Sequence, residues 1–284
     1  MSPVSFSVII PTYNRAQSLL SCLLSLNNAY KLAAISHFEC VISDDGIAAI
    51  TRSILSNHQF SFNYTVLQGP SKGPAANRNF AAATAKNDFL IFIDDDCMVD
   101  SQLLIAYRNA ITHFPQVNFF EGKIMANRIK SRYNEESPEN LNGSNFWSCN
   151  ICVNKEFFFN IGQFDEHYPY PFMEDVDIFV RIQSAALPIK FIPQALVIHP
   201  YRIKLGWSAY LKATQSILFF HKKHYNNLKP SKWMYFKIFL LGLPQRTLLL
   251  FKYYGKGSFD YLQENIFFLL MAIKFYKLIA SFHK

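Results

Sequence analysis

The stretch Phe89-Leu90-Ile91-Phe92-Ile93-Asp94-Asp95-Asp96 decides how the chain is read. Five apolar residues, entered from Asn87-Asp88 and closed by three acids, predict a buried strand of a parallel sheet. In open α/β sheets ligands bind beyond the carboxyl ends of the strands. Three carboxylates crowded at such an end repel one another unless something positive sits among them. A hard divalent cation, Mg2+ or Mn2+, takes few protein carboxylates and completes its shell with water and phosphate oxygens, so the pattern points to a metal-diphosphate site. A solvated acidic turn after a strand gives the same residues, and only the rest of the chain separates the two readings.

Outward from this strand, SFSVIIP (residues 5–11) predicts a first strand, with a helix through Leu19, Leu20, Leu23, Leu24 and Leu26 behind it. FECVIS (38–43) predicts a second, closed by Asp44-Asp45-Gly46, and residues 62–67 a third. QGPSKGPAANRN (68–79) reads as a loop running into a helix over 75–85. This alternation predicts a mostly parallel, doubly wound sheet. A helix through Leu103, Leu104 and Tyr107, a strand at 117–125, a polar mobile loop at 130–143, a short strand at 147–153, a helix from Glu174 and an extended stretch at 189–199 follow.

A chain of 284 residues suits one large α/β domain, or one with an appendage. Its five cysteines are odd in number and scattered, which argues for a reducing compartment; Cys149 and Cys152 form a single CxxC, a weak signal for zinc. The opening Met1-Ser2-Pro3-Val4 has no basic or long apolar secretory pattern, so a cytoplasmic protein is expected. Charge is asymmetric: residues 1–199 hold 14 Lys+Arg and 18 Asp+Glu, a net −4, whereas residues 200–284 hold 14 and 2, a net +12. The basic part is also rich in Phe, Leu, Ile and Tyr, which fits an anionic membrane surface better than nucleic acid. Its uncharged runs, 238–245 and 265–273 among them, fall short of the roughly 20 apolar residues of a spanning helix, so no transmembrane segment is expected. Lys274, Lys277, Ser281 and Lys284 fall on one helical stripe, as in a helix lying in a membrane interface or one packed on the domain with a basic outer edge.

Three strand ends carry polar signatures in order: Thr12-Tyr13-Asn14-Arg15, Asp44-Asp45-Gly46 and Asp94-Asp95-Asp96. With Gly73, Ala76, Arg78 and Asn79 between the last two, and with Gly162-Gln163-Phe164-Asp165-Glu166 and Glu174-Asp175-Val176-Asp177 farther on, the chain resembles the inverting family-two glycosyltransferases over about residues 5–200. The resemblance implies a GT-A fold: a mostly parallel, Rossmann-like sheet flanked by helices, here with a basic and aromatic helical appendage. The domains expected are 1–204, with a nucleotide-binding half to about 100 and an acceptor half beyond, and 205–284.

The resemblance also implies roles. Pro11, Thr12, Tyr13 and Arg15 line the nucleotide pocket; Asp45, more than Asp44, accepts from the base imide, which favours a UDP-sugar. Arg78 lies near the base or phosphates, where its planar fork meets oxygens. In the DxD motif Asp94 lies on the ribose side and Asp96 on the metal; Asp95 belongs to the nucleotide site without a role of its own. His199 is an additional metal ligand in some relatives. Asp175, with Glu174 as neighbour, is the base that deprotonates the acceptor hydroxyl, held ionised by a helix N-terminus. Trp147 and Asn150 are candidates for the acceptor pocket. Ile47 departs from the small hydroxyl residue usual after the DDG block, and the QxxRW block of processive synthases is absent, which predicts transfer of one or a few sugars. The expected protein is a manganese- or magnesium-dependent enzyme of polysaccharide biosynthesis, peripheral on the cytosolic membrane face, using a nucleotide-sugar and a lipid-linked or cell-envelope glycan acceptor. A membrane-docked, non-catalytic glycan-binding scaffold and, with less support, a sugar nucleotidyltransferase are the alternatives.

Overall fold

The computed structural model describes residues 4–204, 206–257 and 260–282. Lys284 of the expected basic stripe and Leu205 at the expected domain boundary lie outside the described residues. In chain order the elements are β1 (Phe6–Thr12), α1 (Ala16–Ala33), β2 (Phe38–Asp44), α2 (Ala48–Leu55), β3 (Asn63–Gln68), α3 (Pro74–Thr84), β4 (Phe89–Phe92), β5 (Met98–Val99), α4 (Leu103–His113), β6 (Phe119–Ala126), β7 (Glu135–Glu136), β8 (Ile151–Asn154), α5 (Lys155–Asn160), α6 (Glu174–Ser184), β9 (Ile189–His199), β10 (Arg202–Ile203), α7 (Trp207–Lys223), α8 (Tyr225–Leu228), α9 (Met234–Lys252) and α10 (Asp260–Ser281). The chain divides into two compact units: Met1–Asn127 with Pro138–Glu166 and Glu174–Pro200, and Arg128–Ser137 with His167–Met173 and Tyr201–Lys284.

The first unit is built on an eight-stranded sheet ordered β3-β2-β1-β4-β8-β6-β9-β5. β1 pairs in parallel with both β2 and β4, and β2 with β3, so the three polar strand ends foreseen in the sequence share one edge of the sheet. β8 then runs antiparallel between β4 and β6. Continuous apolar runs are needed because helices cover both faces. In β4, Ile91 belongs with Ile93 to a core shared with Leu19, Leu23 and Leu26 of α1 and Leu104 of α4; Leu90 and Phe92 face a second core with Ala81 of α3, Phe158 of α5 and Ile178 of α6. Phe92 is fully buried between the rings of Phe158 and Phe164, with centroids at 5.1 and 5.3 Å.

In the second unit β7 pairs with β10, and α10 buries Phe267, Met271, Phe275 and Ile279, four residues at i+4 spacing, beside Ile217 of α7. Within the segment expected to be a mobile loop, Glu135 of β7 accepts from Arg128 Nη2 (2.7 Å) and from the Ser131 and Arg132 amides (both 3.1 Å). The expectation of no membrane-length helix changes. α9 is 19 residues long, continues through Lys237 and Arg246, and is long and apolar enough to cross a membrane by length and composition, with 6% of its apolar window buried. Charge-free runs miss it because Arg246 turns inward: it is buried, donates to the Phe239 carbonyl (2.6 Å) and Asn265 Oδ1 (3.0 Å), and stacks over Phe268.

Phe92→Ala is expected to cost about 3–5 kcal/mol, as deletion of a fully buried aromatic does. Urea unfolding measures this, and a loss below about 1 kcal/mol contradicts the packing described.

Candidate active site

Asp94, Asp95 and Asp96 leave β4 in three directions, Asp94 and Asp95 each toward an arginine and Asp96 toward His199. Asp94 Oδ1 meets Arg78 Nη2 at 2.7 Å, Asp95 Oδ1 meets Arg15 Nη2 at 2.7 Å, and Asp96 Oδ1 lies 3.5 Å from His199 Nε2. Asp95, expected to line the nucleotide site, is wholly buried and also accepts from Thr12 Oγ1 at 2.5 Å. Burial pushes its carboxyl up to about 6, outweighing Arg15 and Thr12. Arg15 also reaches Asp96 Oδ2 at 3.3 Å, so Thr12 and Arg15 tie the end of β1 to the end of β4.

The other acids divide similarly. Asp44 is buried and accepts from the Gly46 amide (2.8 Å) and Thr51 Oγ1 (2.6 Å); the hydroxyl missing at Ile47 is supplied four residues later. Asp45 accepts from the amides of Ser71 (2.9 Å) and Gly73 (3.1 Å), and so shapes the loop before α3. That approach requires glycine at 69, where a Cβ would lie 2.3 Å from Asp45 Oδ1, and suits glycine at 73, with φ of +93°. Pro11 is buried in β1, and Tyr13 is exposed just beyond it.

Arg78 on α3 is buried, with Nη1 3.8 Å from Glu174 Oε1 in addition to its Asp94 contact. Burial alone would weaken its charge; Asp94, Asp175 and Glu174 more than offset this, so the guanidinium is held more firmly protonated than usual. Glu174 and Asp175 open α6. Burial first, then the Asp175 charge, pushes Glu174 up to about 7. Burial also raises Asp175, against the pull of Arg78 and of the Ser148 hydrogen bond. The Ser148 amide donates to Asp175 Oδ2 (3.2 Å), while Oδ1 is buried without a hydrogen-bond partner.

Trp147, immediately before Ser148, is half-buried with its indole Nε1 likewise unpartnered. Asn150 sits differently: its amide donates to the carbonyls of Lys123 and Ala195 (both 2.9 Å) and accepts from Tyr107 Oη (2.8 Å). It braces β6, β9 and α4, which leaves Trp147 as the acceptor-side candidate. Sequence reasoning missed Asn77, whose amide donates to Ser43 O (2.9 Å) and Thr12 O (3.3 Å) and so fastens two strand ends. Asn79 shows what the Gly162–Glu166 block is for: it donates to Phe164 O (2.8 Å) and Glu166 Oε1 (2.9 Å) and accepts from the Phe164 amide (3.1 Å).

The donors fit a divalent cation. His199 Nδ1 lies 2.8 Å from the Pro200 carbonyl, which assigns the Nδ1 proton to that bond in the neutral ring and turns the Nε2 lone pair toward Asp96 Oδ1. Two electron-pair donors facing each other at 3.5 Å are reconciled by a shared cation or proton. Asp96, Cys97 and His199 form a cluster whose ligand atoms all lie within 4.8 Å of one another.

This sheet, with acids at its carboxyl edge and a carboxylate at a helix start, is the GT-A fold of glycosyltransferases. Residues 7–152 match the family described as Glycosyl transferase family 2, and the chain belongs to that family. An uncharacterized glycosyltransferase of Haemophilus influenzae is 26% identical over 168 residues, 55% of each chain. TarS of Staphylococcus aureus, named a poly(ribitol-phosphate) beta-N-acetylglucosaminyltransferase, is 33% identical over 103 residues, 36% of this chain and 18% of TarS. The matched stretch thus spans about half or less of these relatives. The crystal structure of TarS residues 1–349 with UDP-GlcNAc superposes with a TM-score of 0.58 at 17% identity, over 99% of this chain and 92% of that one. The mannosyltransferase PcManGT of Pyrobaculum calidifontis, in complex with GDP-Man and Mn2+, does so with 0.60 at 13%, over 99% and 88%. At these identities the structural likeness shows the fold.

Glu174 generates a stability prediction. Its folded pKa, about 7, lies above the unfolded carboxylate value of about 4.3, so between these pH values the folded state binds the extra proton. Its contribution therefore falls as pH rises through that window. Glu174→Gln is expected to raise the Tm more at pH 8 than at pH 5, and calorimetry showing the reverse order contradicts the assignment.

Proposed function

We propose that the chain is a divalent-metal-dependent inverting glycosyltransferase that moves one sugar from a nucleotide-sugar to a lipid-linked or cell-envelope glycan acceptor by single displacement. The observation that carries this reading is Asp175: a half-buried residue at a helix start, with carboxylate Oδ2 held by Ser148 N–H and a buried Oδ1 left to accept a proton. A general base needs this combination of fixed position and raised basicity.

The remaining residues supply what a nucleotide-sugar demands. Asp45 uses two of about four lone-pair positions on backbone amides, and a further one suits the imide N–H of uracil, which favours UDP. Arg78 offers a fixed positive charge toward the donor side of Asp94. When bound between Asp96 and His199, Mn2+ or Mg2+ supplies neutralisation for the charge that develops on the departing nucleoside diphosphate. Asp175 takes the acceptor proton while the acceptor oxygen attacks the anomeric carbon, and the bond from that carbon to the diphosphate breaks on the opposite side. One attack inverts the centre and leaves no glycosyl-enzyme. The UDP-GlcNAc in TarS and the Mn2+ in PcManGT support the donor class and the metal, and the poly(ribitol-phosphate) for which TarS is named supports a polymer acceptor.

The second unit supports peripheral attachment to the cytosolic face of an anionic membrane. α9 exposes Leu241, Leu248 and Phe251 and α10 exposes Leu262, Ile266 and Leu270, interspersed with exposed Lys237, Lys252, Lys274 and Lys277. An apolar face combined with basic charge provides both attractive contributions that interfacial helices use.

Asp175→Asn is expected to lower kcat about 10²–10⁴-fold while nucleotide affinity by calorimetry stays within about threefold. In the parent protein the acid limb of the pH–rate profile is expected above the ordinary aspartate range, because the active form is ionised and burial raises the pKa; a limb at or below pH 4 opposes the role. For attachment, the chain should float with vesicles containing anionic lipid and lose this at high salt, and Leu241→Glu with Leu248→Glu should weaken it. Equal flotation with neutral vesicles refutes the electrostatic part.

A further inference from the structure

Cys97 follows Asp96 directly at the turn leaving β4, and it is completely buried. A buried thiol is usually a small apolar core group. Cys97 differs because its Sγ shares one cluster with a carboxylate oxygen of Asp96 and a ring nitrogen of His199, all within 4.8 Å of one another, and because its thiol neighbour is Cys149 rather than only hydrocarbon. Carboxylate oxygen serves hard ions such as Mg2+ and Mn2+, and imidazole nitrogen is a borderline donor that softer ions also take. Adding sulfur changes the selection: a carboxylate, an imidazole and a thiolate are a three-ligand set for a tetrahedral, thiophilic ion with one position left open.

We propose that Cys97 is a third protein ligand when this site takes a thiophilic divalent ion such as Zn2+ or Co2+. The inference rests on the reading of Asp96 and His199 as metal ligands. Coordination forms a dative bond from Cys97 sulfur to the ion, and the thiol proton passes to solvent; no electron is transferred. The bond also requires the Cys97 thiol to give up its contact with Cys149. The site then has two states, an oxygen-nitrogen state for hard ions and a sulfur-containing state for soft ones. Zn2+ in the second state competes with the hard ion while drawing the Asp96–Cys97 turn toward His199.

The test is titration of the full chain with Co2+ and no nucleotide, followed by absorption spectroscopy. The expected result is weak visible d–d bands together with a near-ultraviolet thiolate-to-Co2+ charge-transfer band, at one equivalent. Cys97→Ser should abolish the charge-transfer band and weaken Zn2+ binding at least about tenfold, with Mn2+ affinity changed by less than about twofold. Cys149→Ser should keep the band. X-ray absorption of the unmutated Zn2+ protein, expected to show one sulfur at about 2.3 Å, does not depend on any variant folding. Visible bands without a charge-transfer band, or a band lost with Cys149→Ser and kept with Cys97→Ser, overturn the proposal and leave Asp96 and His199 as ligands. Failure to bind Co2+ and Mn2+ alike overturns both readings.

Discussion

Three carboxylates on consecutive residues cannot share one environment at the end of a strand, and the site is organised by how their charges are separated. Arg78 comes from α3, Arg15 from the turn after β1 and His199 from the end of β9, so three distant stretches of chain converge on three adjacent residues. Remove that convergence and like-charge repulsion would drive the β4 terminus outward. The pairing also sorts chemistry from support: Asp95, the most buried, is committed to Thr12 and Arg15, while Asp94 and Asp96 flank it with different partners.

The same economy recurs along the sheet edge. Asp44 serves the turn into α2 while adjacent Asp45 serves the loop into α3, and Glu174 faces Arg78 while adjacent Asp175 meets Ser148. In each pair the two adjacent acids serve different neighbours. Adjacent residues of a strand end or helix start point in different directions, which makes this division possible with little chain.

Much of this was legible because it depends on pattern. The apolar runs of β1, β2 and β4 and the acids that close them specify parallel strands with a polar edge whatever lies elsewhere. What escaped depends on register and distance. The short strand expected at 147–153 is present as β8, but four residues do not tell its direction or its place, antiparallel between β4 and β6. Asn77 reads as an ordinary helix residue until β1 and β2 stand in register, which brings the carbonyls of Thr12 and Ser43 within its reach. Thr51 and Asn150 are invisible as partners for the same reason. The upward shift of Asp175 is not read from its helix position, because desolvation is a property of the assembled core.

The place of β8 has a consequence for how the chain is made. β4 has β1 on one side, but its other edge is covered only by residues 151–154, about sixty positions later. During synthesis β1 to β4 therefore emerge with an open edge carrying Phe89 to Phe92, a short apolar strand of the kind that invites pairing with other chains. Translation must pass α4 and β6 before that edge is closed. Residues 101–154 thus act during biogenesis as the cover of the first hundred, and truncation between the two would expose an edge that the complete fold keeps paired.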